Sequence, residues 1–90
     1  MTNYMVAKEV KTEMNEAMLE HAVETTRKAF DKYTQDSEVA QFIKKEFDSQ
    51  YNPTWHCVVG KTYGSYISYE LGNFLDFVYG EKAILLYKAG

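Results

Sequence analysis

Residues 51–70 read YNPTWHCVVGKTYGSYISYE. Upstream, apolar residues recur at intervals of three and four; from Thr54 onward the period is two. A period of two places successive side chains on opposite faces of a strand. Asn52-Pro53 marks the change, because proline cannot continue a helix and biases the residue before it toward extended backbone. Residues 54–59 (TWHCVV) predict a strand, Gly60-Lys61 a turn, and residues 62–70 (TYGSYISYE) a second strand. That second strand has Tyr63 and Tyr69 on one face and Tyr66 on the other. An edge strand with aromatic side chains on both faces is an aggregation hazard unless something pairs with it.

Toward the C-terminus, Gly72-Asn73 turns the chain, residues 74–79 (FLDFVY) predict a third strand, Gly80-Glu81 turns it again, and residues 82–88 (KAILLYK) predict a fourth. Alternation in FLDFVY puts Leu75, Phe77 and Tyr79 on a core face and Phe74, Asp76 and Val78 on the other. Toward the N-terminus, residues 37–50 predict a helix capped by Asp36 or Ser37, with a stripe of Val39, Phe42, Ile43 and Phe47. Residues 15–33 predict another, capped by Asn15, with Met18, Leu19, Ala22, Val23, Thr26, Phe30 and Tyr33 on its inner face. Residues 4–12 predict a short strand in which Val6, Lys8, Val10 and Thr12 alternate with their neighbours. Helices and strands are segregated along the chain, so the fold class is α+β: two helices packed on one antiparallel sheet, in a single domain over residues 1–90.

A chain of 90 residues buries a limited share of its surface, and oligomerisation is one ordinary remedy. Eight Tyr, five Phe and one Trp supply large, stiff contact areas of the kind interfaces use. A net charge of −3 disfavours nucleic acid, whose binders need a basic face. The single cysteine, Cys57, excludes an intrachain disulfide and a multi-cysteine zinc site, and fits a reducing compartment. No stretch approaches the roughly 18 apolar residues of a membrane span.

No constellation for catalysis or metal binding is legible, and no cofactor is expected. His56-Cys57 resembles a base beside a nucleophile, but neighbours on a strand point to opposite faces, so packing is the better reading. His21 lies outside the apolar stripe of its helix and reads as a surface residue. Asp31, Tyr33 and Gln35 alternate like calcium ligands but lack the loop glycine and the terminal glutamate. Gly60-Lys61-Thr62 lacks the glycine-rich run and following helix of a phosphate loop.

The segment FIKKEFDSQYNPTWHCVVGKTYGSYISYE, residues 42–70, resembles the eight-kilodalton class of cytoplasmic dynein light chains. The closest runs are IKKEFD at 43–48, YNPTWHCVVG at 51–60, YGSY at 63–66 and AILLYKAG at 83–90. The resemblance implies a non-catalytic, strand-swapped homodimer, cytoplasmic and associated with the cytoskeleton, microtubules and a motor. It implies that the strand at 62–69 crosses to the partner and bounds two grooves. There it receives disordered segments of the dynein intermediate chain or of other proteins with short linear motifs, by β-augmentation. Groove roles fall by resemblance on Tyr63, Gly64, Ser65, Tyr66, Ile67, Ser68 and Tyr69, on Phe74, Asp76 and Val78, and on Ala83 and Leu85. Dimer-interface roles fall on His56, Lys44, Tyr66 and Ser68.

The family typically has tyrosines at the positions of Asp76 and Val78, histidine at Tyr69, threonine at Ser68 and lysine at Ser37. Ala89 stands where the family can carry a regulatory serine. These departures imply weakened recognition of the family's Thr-Gln ligand motif. They keep open a second reading, a divergent module like those attached to calcium-binding domains in helminth tegumental proteins, its groove retuned or lost.

Overall fold

A computed structural model describes residues 7–61 and 73–89. The order is β1 (Ala7–Thr12), α1 (Glu16–Lys32), α2 (Asp36–Tyr51), β2 (Trp55–Gly60), β3 (Phe74–Tyr79) and β4 (Lys82–Lys88). The strand expected at residues 62–70, Gly72 of the expected Gly72-Asn73 turn and residues 4–6 of the first strand lie outside the described residues.

Helix α1 starts where a cap was expected. Asn15 Oδ1 accepts the Met18 backbone N–H at 2.8 Å, satisfying one of the first-turn donors. Leu19, Ala22, Val23, Thr26 and Ala29 form its buried stripe, and the Thr26 hydroxyl donates to the Ala22 carbonyl at 2.8 Å. Helix α2 differs from expectation at its start. Neither Asp36 nor Ser37 caps it: the cap is Gln35, whose side chain makes no capping bond, and Asp36 lies in the first turn. Asp36 is committed elsewhere, to Lys82 Nζ of β4 at 3.1 Å. Val39, Ile43 and Phe47 are fully buried.

The four strands form one antiparallel sheet in the order β1-β3-β4-β2. Gly80 (φ 62°) makes the tight β3–β4 turn, a left-handed conformation that glycine takes without steric cost. Paired residues share a face, so the registers sort the side chains. One face carries Trp55, Cys57, Val59, Leu75, Phe77, Tyr79, Ile84 and Leu86, and both helices pack on it. Phe47 meets Trp55 edge-on at 4.9 Å, and Phe30 of α1 stacks on Tyr79 at 5.5 Å. Burying a residue the size of Leu or Phe here stabilises by about 1.5–3 kcal/mol.

In β1 the expected simple alternation fails. The register slips between Lys8 and Lys11, so one extra residue bulges from the strand. Glu9 takes φ 52° there and Val10 is left exposed.

His21 corrects its reading as a surface residue. Its Nδ1 lies 2.9 Å from the Tyr51 hydroxyl and its Nε2 2.9 Å from Glu46 Oε2, while the ring stacks on Phe47 at 5.4 Å. One imidazole thus clasps α1 to the C-terminal half of α2. With the ring neutral, Nε2–H donates to the carboxylate and Nδ1 accepts from the phenol, so both nitrogens are satisfied.

Candidate functional site

The face turned away from the helices carries His56, Val58 and Gly60 from β2, Ala83, Leu85 and Tyr87 from β4, and Phe74, Asp76 and Val78 from β3, with Lys8 and Lys11 from β1. Alternation therefore gave the right face for Phe74, Asp76 and Val78, and the fold gathers them with Ala83, Leu85 and His56, which the resemblance named. Leu85 is buried yet stands apart from the main core cluster. His56 stacks on its cross-strand neighbour Tyr87 at 5.1 Å and is exposed. Asp76 is half-buried between Leu85 and Lys11, its register partners in β4 and β1. Tyr63, Gly64, Ser65, Tyr66, Ile67, Ser68 and Tyr69 lie outside the described residues.

Among the described residues β1 and β2 are the edges of the sheet, and they are built differently. β1 presents Lys8, Glu9 and Lys11, with the bulge twisting it. Charged side chains and bulges are the devices that keep an edge from pairing with another strand. β2 reads WHCVVG, with no carboxylate, lysine or arginine, and Val58 is 41% exposed. Among the described residues only β4 pairs with β2. A cleft of about 730 Å³ runs along this open edge, between Asp36, Ser37, Ala40, Gln41 and Lys44 of α2 and Trp55 to Val59 of β2, with Tyr87 beside them.

Asp48 holds the start of β2 under α2. Its Oδ1 accepts the Trp55 backbone N–H at 2.8 Å and its Oδ2 pairs with Lys44. Burial raises the pKa of this carboxyl, but the bonds from Lys44 and the Trp55 N–H outweigh it and hold the group below the usual carboxylate range. Lys44 and His56 both line the cleft, from its α2 and β2 sides. Among the described residues the buried indole Nε1 of Trp55 has no acceptor.

Cys57 faces the helices while His56 faces away, so the strand keeps thiol and imidazole apart. Burial pushes the Cys57 thiol up to about 12, far from the range of a nucleophilic thiolate. Among the described residues no three His, Cys, Asp or Glu gather as a metal site, and no helix is long and apolar enough to cross a membrane.

Sequence reasoning missed Val58 and Gln41 as cleft residues, while Ser37 was singled out only through the resemblance. Val58 was findable, since it shares a face with His56 two residues earlier. Gln41 was not, because only the packing of α2 beside β2 brings it to the edge.

A profile of the family described as dynein light chain type 1 matches residues 6–89. Among solved structures, the dynein light chain-like domain of the calcium-binding protein FhCaBP2 from Fasciola hepatica superposes with a TM-score of 0.78 at 23% identity, covering 93% of this chain and 91% of that one. A mercury derivative of the same domain gives a TM-score of 0.74 at 22% identity, covering 92% and 94%. At that identity the likeness speaks for the fold, two helices on a four-stranded antiparallel sheet. The span of the family match and the agreement of fold together establish that this chain belongs to the dynein light chain type 1 family.

Proposed function

We propose that the chain is a non-catalytic, homodimeric adaptor that holds extended segments of partner proteins by strand addition. The observation that carries this reading is the contrast between the guarded β1 edge and the open β2 edge with its cleft. Main-chain donors and acceptors along an unpaired edge are a template for another strand. In this reading residues 62–69 of a second copy pair antiparallel with β2, and Tyr66 and Ser68 join His56 and Lys44 at the interface. Ligand then lies beside Tyr63, Gly64, Ser65, Ile67 and Tyr69, over Phe74, Asp76, Val78, Ala83 and Leu85. The uncapped start of α2 opens on the cleft at Asp36 and Ser37, where orphan N–H groups suit a polar ligand side chain. A dynein intermediate chain or another protein with a short linear motif in a disordered segment is the partner, in the cytoplasm and on the cytoskeleton.

The test is sedimentation equilibrium of the full chain at concentrations on the order of tens of micromolar, where a dimer of this kind must persist. A stable monomer at neutral pH removes the reading. His56→Lys, which puts two ammonium groups at the two-fold interface, is expected to give a folded monomer.

A second reading has its own support. Asp76 and Val78 stand on the ligand-side face, where a carboxylate and a small side chain replace aromatic area. A divergent module with retuned recognition is distinguished by a peptide panel containing the Thr-Gln motif. Tight binding there favours the standard adaptor.

A further inference from the structure

In an antiparallel pair, residues that bond to the neighbouring strand alternate with residues whose N–H and C=O point away from it. The Ala89 N–H donates to the Thr54 carbonyl at 3.2 Å, so Thr54 turns its backbone toward the β4 side. His56, Val58 and Gly60 follow at steps of two and turn the same way. Trp55, Cys57 and Val59 therefore aim their N–H and C=O groups outward, at the edge. Lys88, the register partner of Trp55, agrees: its N–H donates to the Asn73 carbonyl at 3.0 Å, away from β2.

The first of these outward donors is already taken. Asp48 Oδ1 accepts the Trp55 N–H at 2.8 Å. The helix does not account for this carboxylate. Asp48 lies in the last turn of α2, which holds no basic residue and where the helix dipole disfavours negative charge. Lys44 pairs with the other oxygen, and the group stays ionised at neutral pH, the stronger form of acceptor.

A slip of two residues keeps every strand side chain on its own face. Alternation alone therefore leaves open the register of a strand added at this edge, and a block at one end closes it. We propose that Asp48 ends the ladder at the β2 edge. An incoming strand pairs with the outward groups of Cys57 and Val59, stops short of the Trp55 N–H, and is held in one register. The occupant is residues 62–69 of a second copy, so the inference rests on the adaptor reading above. Asp48 is a positioning residue in this role: it sets where the second copy's strand lies along β2, and with it where each groove lies along the dimer.

The experiment labels the amides of the full chain with deuterium at a series of dilutions that spans dissociation, then reads them residue by residue by NMR. In the wild type the Cys57 and Val59 amides are expected to exchange at least about tenfold more slowly in the dimer than in the dissociated chain, whereas the Trp55 amide is equally protected in both. In Asp48→Ala the Trp55 donor is released and the incoming strand reaches it, so its protection appears only on association. A Trp55 amide that tracks Cys57 in the wild type overturns the proposal and leaves the dimer standing. A Trp55 amide left unprotected in the dimer of the variant overturns it too, since Asp48 is then only an anchor for β2. Should Asp48→Ala not fold, the wild-type comparison decides alone. A dimer in which Cys57 and Val59 do not respond to dilution removes strand addition at β2 and the proposal with it. A chain that is monomeric throughout removes the adaptor reading as well.

Discussion

At the scale of single residues, the buried polar groups decide most. His21 ties α1 to α2 through Tyr51 and Glu46. His21→Phe keeps an aromatic ring against Phe47 but leaves both partners without a nitrogen, at an expected cost of about 1–2 kcal/mol in urea unfolding. A double-mutant cycle with Tyr51→Phe checks the cause: the two losses must fall short of additivity. Strict additivity means the pair does not interact. Cys57 makes a prediction about alkaline pH. Burial raises its pKa to about 12, and burial likewise raises those of Tyr51 and Tyr79. A thiol raised in the folded state contributes fully below its unfolded pKa of about 8.5, and that contribution is lost as pH climbs toward the folded value. Urea midpoints of the wild type are therefore expected to fall between about pH 8 and pH 11, and less steeply in Cys57→Val. Identical slopes for the two proteins would show that the thiol carries none of the effect.

At the scale of elements, the two edges of the sheet separate exposure from placement. Val10 and Val58 are almost equally exposed, at 38% and 41%. Val10 sits in the bulged, lysine-flanked β1 and Val58 on the open β2. Lysine at an edge position opposes strand pairing. Val58→Lys is expected to yield a folded monomer, while Val10→Lys leaves association unchanged. Circular dichroism confirms the fold and sedimentation velocity reads the mass. Equal effects of the two substitutions would argue against the proposed strand pairing at β2.

At the scale of the whole molecule, the proposed ligand preference rests on the outer face of the sheet. Asp76 and Val78 lie on that face beside Leu85 and Ala83. Loss of a tyrosine from a well-packed contact typically costs on the order of 2 kcal/mol, and stripping water from an unmatched carboxylate adds to the penalty. Thr-Gln peptides are expected to bind weakly, and Asp76→Tyr/Val78→Tyr to bind them at least tenfold more tightly, by roughly the energy of one such contact. Calorimetry on the two proteins measures it. No gain in the double variant would mean that these positions do not govern recognition.

Much of this was legible in the chain itself. The change of period at Asn52-Pro53 separated helices from strands. Alternation in FLDFVY placed Asp76 and Val78 opposite Leu75 and Phe77, and the strand bounds at 74–79 and 82–88 agree with β3 and β4. These are local properties, since a side chain's face follows from backbone geometry a few residues either way. The order β1-β3-β4-β2 was not local: that β4 lies between β3 and β2, with β2 at the edge among the described residues, depends on pairings between residues far apart in the chain. The same holds for His21, polar and off the apolar stripe, which meets Glu46 and Tyr51 only once α2 packs beside α1. It holds too for Asp36, a good capping residue by type that the nearby Lys82 of β4 recruits instead. Outside the bulged β1, sequence determined which way the strand side chains face; only tertiary packing, which brings distant segments together, decided what each one meets.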